Sequence, residues 1–286
     1  MFSIIGIVLV IGAVIGGYLM EHGNMKVLVQ PAELVIIGGA AIGTLLIGNP
    51  LPVIIKILKN LTGILSGSKY NKARYLDTLK MLNDLFSQGR KGGMVSLESH
   101  VEEPDKSDLF KKHEFIVKDH HALDFICDTM RMALSGTVSP HDLDQMIEVD
   151  LEVHHKEIGK PVSALTTVAD ALPGLGIVAA VLGVVITMGS LGGPPEEIGH
   201  KVAAALVGTF LGILLCYGFL SPLASSMTHI NEAEAVYYNC LRTGMVAFIR
   251  GAAPILAVEF SRRSIPSEVR PSFKEMEGAL RGEKAA

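Results

Sequence analysis

Four long apolar runs set the pattern of hydrophobic and polar positions in this chain. They cover residues 2–20, 34–55, 173–191 and 202–222, and none of them contains a charged side chain. At a rise of about 1.5 Å per residue, one helix in each run can cross the ~30 Å hydrocarbon core of a bilayer. Backbone groups find no water there, so helix is the expected form. The pattern therefore predicts an all-α integral membrane protein with four transmembrane helices.

The hydrophilic sequence is concentrated in two places, one between the second and third runs and one after the fourth. We expect the first of these to be a large helical domain. Residues 1–55 then contain the first two spans and residues 56–170 the helical domain. Residues 171–223 contain the last two spans, and residues 224–286 form a C-terminal helical extension with a tail.

The helical domain shows apolar positions at the three- and four-residue spacing of a buried helix face. This spacing predicts helices over residues 70–86 and 108–134. Between them we expect a short helix over 96–103 with Ser96 as its N-cap. Ser139 precedes a proline and is expected to cap another helix.

The basic residues predict the orientation of the chain in the membrane. Of its 25 Lys and Arg residues, 23 lie in residues 56–170 and 223–286, and only Lys26 and Lys201 lie in the two short loops. Basic residues near span ends favour the cytoplasmic side. Both termini and the helical domain are therefore predicted to be cytoplasmic.

The residue types that are missing from the four apolar runs limit the chemistry that this chain can perform. No acid, base or histidine lies inside any of them, although proton pathways normally keep such a group at membrane depth. No phosphate-binding loop motif is present, three scattered cysteines do not indicate a metal site, and the net charge of −4 gives no sign of a nucleic-acid partner. We therefore predict no cofactor and no enzymatic activity, and an ion path whose ionisable group comes from another protein.

Single residues in the runs and the domain allow alternatives. The Thr209 hydroxyl could face a water-filled path or bond back to its own helix. Pro173 and Pro222 could mark a helix start or bend, or act as hinges. Arg90 and Glu98, beside a glycine-rich turn, could be a solvated charge cluster or a contact surface. The G-x-x-x-G patterns at 12–16, 39–43 and 208–212 are interpreted as helix packing.

Five segments together resemble the MotA family of flagellar motor stator subunits, which is related to the TolQ and ExbB proteins. The resemblance spans nearly the whole chain with similar spacing. The segments are QPAELVIIGGAAIGTLLIGN (30–49), GMVSLESHVEEP (93–104), LPGLGIVAAVLGVV (172–185), ALVGTFLGILLCYGFLSPLA (205–224) and AVEFSRRSIPSEVRPSF (257–273).

This resemblance implies a function and partners. Five such subunits would form a ring around two copies of a MotB-type partner, whose single transmembrane helix carries the aspartate that this chain lacks. Proton flow through the inner-membrane complex would turn the ring, and the cytoplasmic domain would push on the rotor protein FliG.

The resemblance also implies roles for six residues by their position in the family's motifs. Pro173 and Pro222 match the functional prolines, and Thr209 matches the ion-path threonine. Ala180 stands where sodium-driven relatives have threonine. Arg90 and Glu98 match the rotor-contacting charged pair. An alanine at position 180 favours protons as the transported ion.

Two other functions are considered beside the stator. One is a TolQ/ExbB-type energiser, driven by the proton-motive force, that moves a periplasm-spanning partner. Chains of that type usually have three spans with a large loop after the first, whereas here the large domain follows the second run. The other is a non-conducting membrane scaffold.

Overall fold

The computed structural model of the chain describes residues 2–189 and 192–281, which form helices and turns with no strand among them. The first nine α-helices are α1 (Phe2–Met20), α2 (Met25–Leu28), α3 (Pro31–Gly48), α4 (Leu51–Ser66), α5 (Lys72–Gly92), α6 (Glu98–Glu102), α7 (Asp108–Lys111), α8 (Glu114–Val117) and α9 (His120–Leu134). The later ones are α10 (Pro140–Met188), α11 (Pro195–Ile213), α12 (Ser221–Ile249), α13 (Pro254–Ser264) and α14 (Phe273–Leu280). Two 3₁₀ turns (Met94–Leu97 and Pro104–Lys106) and a π-helical segment (Leu214–Leu220) complete the set.

Four helical stretches are long and apolar enough to cross a membrane. They are Phe2–Met20, Met25–Gly48, Pro140–Met188 and Pro195–Ile249, of which the last joins α11, the π-helical segment and α12. The predicted all-α class and the number of spans are confirmed on these grounds. Helix α3 ends at Gly48, just before Pro50 and Pro52, and α4 begins at Leu51.

The chain divides into two compact units. The first, here called the membrane unit, comprises Met1–Gly67 and Ile158–Ile230. The second, here called the helical lobe, comprises Ser68–Glu157 and Asn231–Ala286. The boundaries at residues 55, 170 and 223 follow from hydropathy, and they remain predictions about where the bilayer ends.

The membrane unit has a small core and an apolar exterior. One side of α4 is buried at Val53, Ile57 and Ile64 and packs against α10 and α12, while Lys56 and Lys59 are exposed on its other side. Many large apolar side chains point outward, and Ile47, for example, is 90% exposed. An exterior of this kind suits contact with lipid or with other apolar helices.

The helical lobe is built on the predicted amphipathic helix. The apolar positions of α5 are buried in a single core with α9 and α12, and Phe86 stacks on Phe248 with ring centroids 4.6 Å apart. Asn71 caps the start of α5 by accepting a hydrogen bond from the Arg74 backbone. Gly93, at φ 76°, ends the helix in a conformation that favours glycine.

Two predictions for the lobe are wrong. Ser96 does not cap a helix, because its hydroxyl donates to the carbonyl oxygens of Gln88 and Gly93, and α6 begins at Glu98. The second periodic stretch is not one helix but three, α7, α8 and α9. Asp119 interrupts it, since its carboxylate is held by ion pairs with Arg74 at 2.7 Å and Lys69 at 2.8 Å.

The last two membrane helices also differ from their predicted limits. The helix capped by Ser139 begins at Pro140, as predicted, and α10 continues through the third apolar run to Met188. The loop before the fourth span is shorter than expected because α11 begins at Pro195. The last residues of the third apolar run, 190–191, lie outside the described residues.

Candidate functional site

Helices α10 and α11 cross in direct backbone contact, because glycine stands where they approach most closely. A β-carbon built on Gly176 would lie 2.7 Å from the carbonyl oxygen of Gly208 and 3.1 Å from the α-carbon of Gly212. One built on Gly212 would lie 2.5 Å from the carbonyl oxygen of Leu172. No side chain fits at either position. The G-x-x-x-G pattern at 208–212 is therefore a helix-packing motif, as the sequence indicated.

The crossing brings two of the predicted ion-path residues to neighbouring positions. The α-carbon of Thr209 lies 3.3 Å from a β-carbon built on Gly176, and the backbone nitrogen of Ala180 lies 3.2 Å from one built on Gly208. Both residues are partly exposed. Thr209 and Ala180 therefore lie on opposite helices of the same contact.

The Thr209 hydroxyl differs from the other threonines of the membrane unit. Thr44, Thr166, Thr187 and Thr228 each donate to the carbonyl oxygen four residues earlier in their own helix. Thr209 makes no such bond within residues 2–189 and 192–281. Its hydroxyl is therefore available to water or to another chain, and the back-bonded alternative does not describe it.

The structure adds a residue that hydropathy excludes from the spans. Helix α3 begins at Pro31, three residues before the apolar run, so Glu33 lies in its first turn. It is 7% exposed and packs against the α10–α11 crossing. The helix that carries the second apolar run therefore extends beyond that run and includes one acid. Proline in the first turn followed by an acid is a helix-start signal that would have placed the boundary correctly.

The two predicted hinge prolines occupy different positions. Pro173 lies inside α10, half-buried, where a proline removes one backbone hydrogen bond and strains the preceding turn. Pro222 is exposed and follows the π-helical segment, whose widened turn has the Ser221 nitrogen donating to the Cys216 carbonyl. Both prolines thus interrupt regular helix geometry, and neither marks the start of a span.

Arg90 and Glu98 flank the glycine turn at one end of α5 in the helical lobe. Both are exposed, and Val95 between them is 75% exposed. Neither forms an ion pair with any residue that the structure describes. Every other arginine of the chain donates a side-chain hydrogen bond. The guanidinium of Arg90 is thus free to meet a partner.

The geometry gives no support to a metal site. The described part of the chain contains no group of three or more His, Cys, Asp and Glu residues placed to hold a metal ion. The three cysteines are free and buried.

Comparison with known proteins now decides the family. The model for the N-terminal part of motility protein A matches residues 4–93, and the model for the MotA/TolQ/ExbB proton channel family matches residues 118–239. Motility protein A of Escherichia coli K12 is 42% identical over 99% of this chain and 96% of its own length. This chain belongs to the MotA family of flagellar stator subunits. The resemblance seen in the sequence is confirmed.

Further relatives agree with this assignment. The chemotaxis protein LafT of Vibrio parahaemolyticus is 36% identical, with 97% of each chain covered. The MotAB structure of C. jejuni superposes with a TM-score of 0.77 at 18% identity, covering 95% of this chain and 98% of that one. The MotAB stator complex of Bacillus subtilis superposes with a TM-score of 0.75 at 22% identity, covering 93% of this chain and 96% of that one. At these identities the structures show that the fold is that of MotA.

Membership in the MotA family defines the function at a coarse level. The chain is a multi-pass membrane protein and a flagellar stator subunit within a family of proton channels, which is a motor and channel family rather than a class of enzymes. The full-length relatives are motility proteins, which favours the stator over the TolQ/ExbB-type energiser.

Proposed function

We propose that this MotA-family chain works in the inner membrane with its short loops outside and with both termini and the helical lobe in the cytoplasm. Five copies surround two copies of a MotB-type partner, which supplies an aspartate in its single span. Protons pass between the partner and this chain, and the lobe pushes on FliG. Each proton that crosses 100 mV releases about 2.3 kcal/mol, so repeated passages can drive mechanical steps.

The observation that carries this proposal is that Arg90 and Glu98, on either side of the glycine turn, are both exposed and without an ion pair among the described residues. In the same lobe the other arginines are already engaged by acids or carbonyl oxygens. Exposed charges without internal partners steer a transient, salt-sensitive contact rather than a tight one. A surface that must grip and release a rotor repeatedly needs a contact of that kind.

The ion path is assigned to the α10–α11 crossing. Thr209 offers its free hydroxyl there, and Ala180 leaves space where sodium-driven relatives carry a second hydroxyl. With one hydroxyl fewer, the site offers less of the oxygen coordination that a metal cation requires, which favours protons. Pro173 and Pro222 serve as the points where α10 and the π-interrupted helix bend when the partner's aspartate changes charge.

The rotor contact is tested by charge reversal. Arg90→Glu or Glu98→Lys is expected to reduce the torque on a tethered bead while the amount of the chain in the membrane stays constant. Lys91→Glu is the matched control, because neighbouring helical positions point about 100° apart. Wild-type torque in both single variants and in the double variant would refute the proposed rotor contact.

The channel is tested with the purified complex of this chain and its partner in proteoliposomes. We expect proton uptake driven by a membrane potential, with no dependence on sodium. Absence of uptake would favour the non-conducting scaffold. Pro173→Ala is expected to slow rotation without loss of assembly, and normal torque in that variant would remove the hinge role.

A further inference from the structure

Glu33, in the membrane unit, is an acid whose surroundings do not stabilise a negative charge. Its Oε2 atom is shielded from solvent and has no hydrogen-bond partner in the part of the chain that the structure describes. The carboxyl group points into the α10–α11 crossing. A β-carbon built on Gly208 would lie 2.6 Å from Oε2, and one built on Gly183 would lie 3.7 Å from Oε1. Because Gly208 has no side chain, the carboxyl can occupy the space beside it, whereas the distance to Gly183 is an ordinary contact.

The groups around this space do not neutralise a negative charge. Thr187, on α10, already donates its hydroxyl to the Gly183 carbonyl at 2.8 Å. Ala205 and Gly208 of α11 bring no polar side chain, and Lys201, one turn earlier, forms an ion pair with Glu197 at 2.8 Å. On the side of α2 and α3, the Gln30 amide donates to the Val27 carbonyl. Among the residues described around it, the carboxyl therefore finds neither a cation nor a donor for Oε2.

An ionised carboxylate in such a place is strongly disfavoured unless it is paired. The neutral acid costs far less, and its O–H can donate to an acceptor that enters the crossing. Occupation by a proton is thus the simplest chemical way to complete this site.

We propose that Glu33 is a proton-binding station of the chain itself in the ion path, where its carboxyl lies beside Gly208, the residue before Thr209. Hydronium on the side of the short loops gives its proton to the Glu33 carboxylate and becomes water. The acid then passes that proton to water at the Thr209 hydroxyl, from which the partner's aspartate takes it. This inference rests on the proposed function. It places a titratable group of this chain in the ion path, which was expected to depend on a group from another protein.

Polar residues of both short loops meet near the start of α11. A shallow depression is lined by Gln30, Pro194, Glu196, Glu197, His200, Lys201 and Ala204. It lies at the start of α11, next to the turn that carries Ala205. The polar lining provides donors and acceptors on which protons can arrive.

The experiment measures potential-driven proton uptake by the full complex of this chain with its MotB-type partner in proteoliposomes. Glu33→Gln keeps the shape of the side chain but removes the exchangeable proton, and we expect uptake to fall at least about tenfold, as for the loss of a proton-transfer group. Glu33→Asp keeps a carboxyl and is expected to retain most of the uptake with an altered pH profile. Glu21→Gln, at an exposed acid of the first short loop outside this depression, is the matched control and should conduct as the wild type does.

A second variant separates proton transfer from a structural role. Glu33→Met replaces an unpaired buried acid by an apolar chain of similar length, so thermal unfolding of the complex should occur at an equal or higher temperature while uptake falls. This combination supports the proposal even if the glutamine variant assembles poorly. Unchanged uptake in both Glu33→Gln and Glu33→Met, or lower stability of the methionine variant at wild-type uptake, would overturn it. If the wild-type complex conducts no protons, the proposed function fails first and this inference fails with it.

Discussion

Replacing Gly176 by alanine tests the idea that two membrane helices meet through their backbones. The new β-carbon would lie 2.7 Å from the Gly208 carbonyl oxygen, 3.1 Å from the Gly212 α-carbon and 3.3 Å from the Thr209 α-carbon. Favourable contacts between heavy atoms are found at about 3.5–4.0 Å. All three neighbours belong to the backbone, so the strain can be relieved only if α10 and α11 move apart.

The magnitude follows from comparison with Gly174→Ala. Gly174 lies in the same helix, and a β-carbon there would meet no described atom within 4 Å. Both substitutions gain the roughly 0.5–1 kcal/mol by which alanine exceeds glycine in a helix. The difference between them therefore isolates the overpacking cost, about 1–3 kcal/mol against Gly176→Ala.

The assay is denaturation of the purified complex in detergent, with both variants measured beside the wild type. We expect Gly174→Ala to be at least as stable as the wild type, and Gly176→Ala to be less stable and to lose motility. Equal stability of the two alanine variants would show that the helices do not touch at this point, and the placement of Thr209 beside Ala180 would have to be abandoned.

Four further outcomes are expected. The Thr209→Val variant should keep its assembly but lose proton uptake, and uptake at the wild-type rate would return this residue to a packing role. Phe86→Ala should destabilise the lobe by about 3–5 kcal/mol in denaturation experiments, because this ring is fully buried in the core. Burial raises the pKa of the Cys127 thiol to about 12, so a maleimide at neutral pH should label it only after unfolding. Hydrogen bonds from Arg262 lower the pKa of Glu259 from 4.5 to about 2, so its stabilising effect should be lost as the pH falls between these values, and Glu259→Gln should remove that part of the pH dependence of thermal unfolding.

Much of the fold could be predicted from local sequence. An uncharged run of about 20 residues has no stable form in a bilayer other than a helix, so the number of spans follows from hydropathy alone. The buried face of α5 follows from its three- and four-residue spacing. The glycines at 208 and 212 indicated close helix packing, because a spacing of four residues places both on the same face of a helix.

Predictions failed where a distant residue decides the local structure. The stretch after residue 107 is apolar at helical spacing, but ion pairs from Arg74 and Lys69 hold Asp119 at a break between two helices. The Ser96 hydroxyl had a suitable position for a cap, but the carbonyl oxygens of the preceding turn accept it instead.

The sequence by itself determined which segments avoid water, because hydrophobicity is a property of each residue and its near neighbours. The tertiary structure alone decided which polar groups remain without partners. Arg90 is free, the Thr209 hydroxyl is not bonded to its own helix, and the Glu33 carboxyl enters the membrane unit where Gly208, on another helix, leaves space for it. Whether a polar atom is satisfied depends on atoms far away in the chain, and hydropathy contains no information about them.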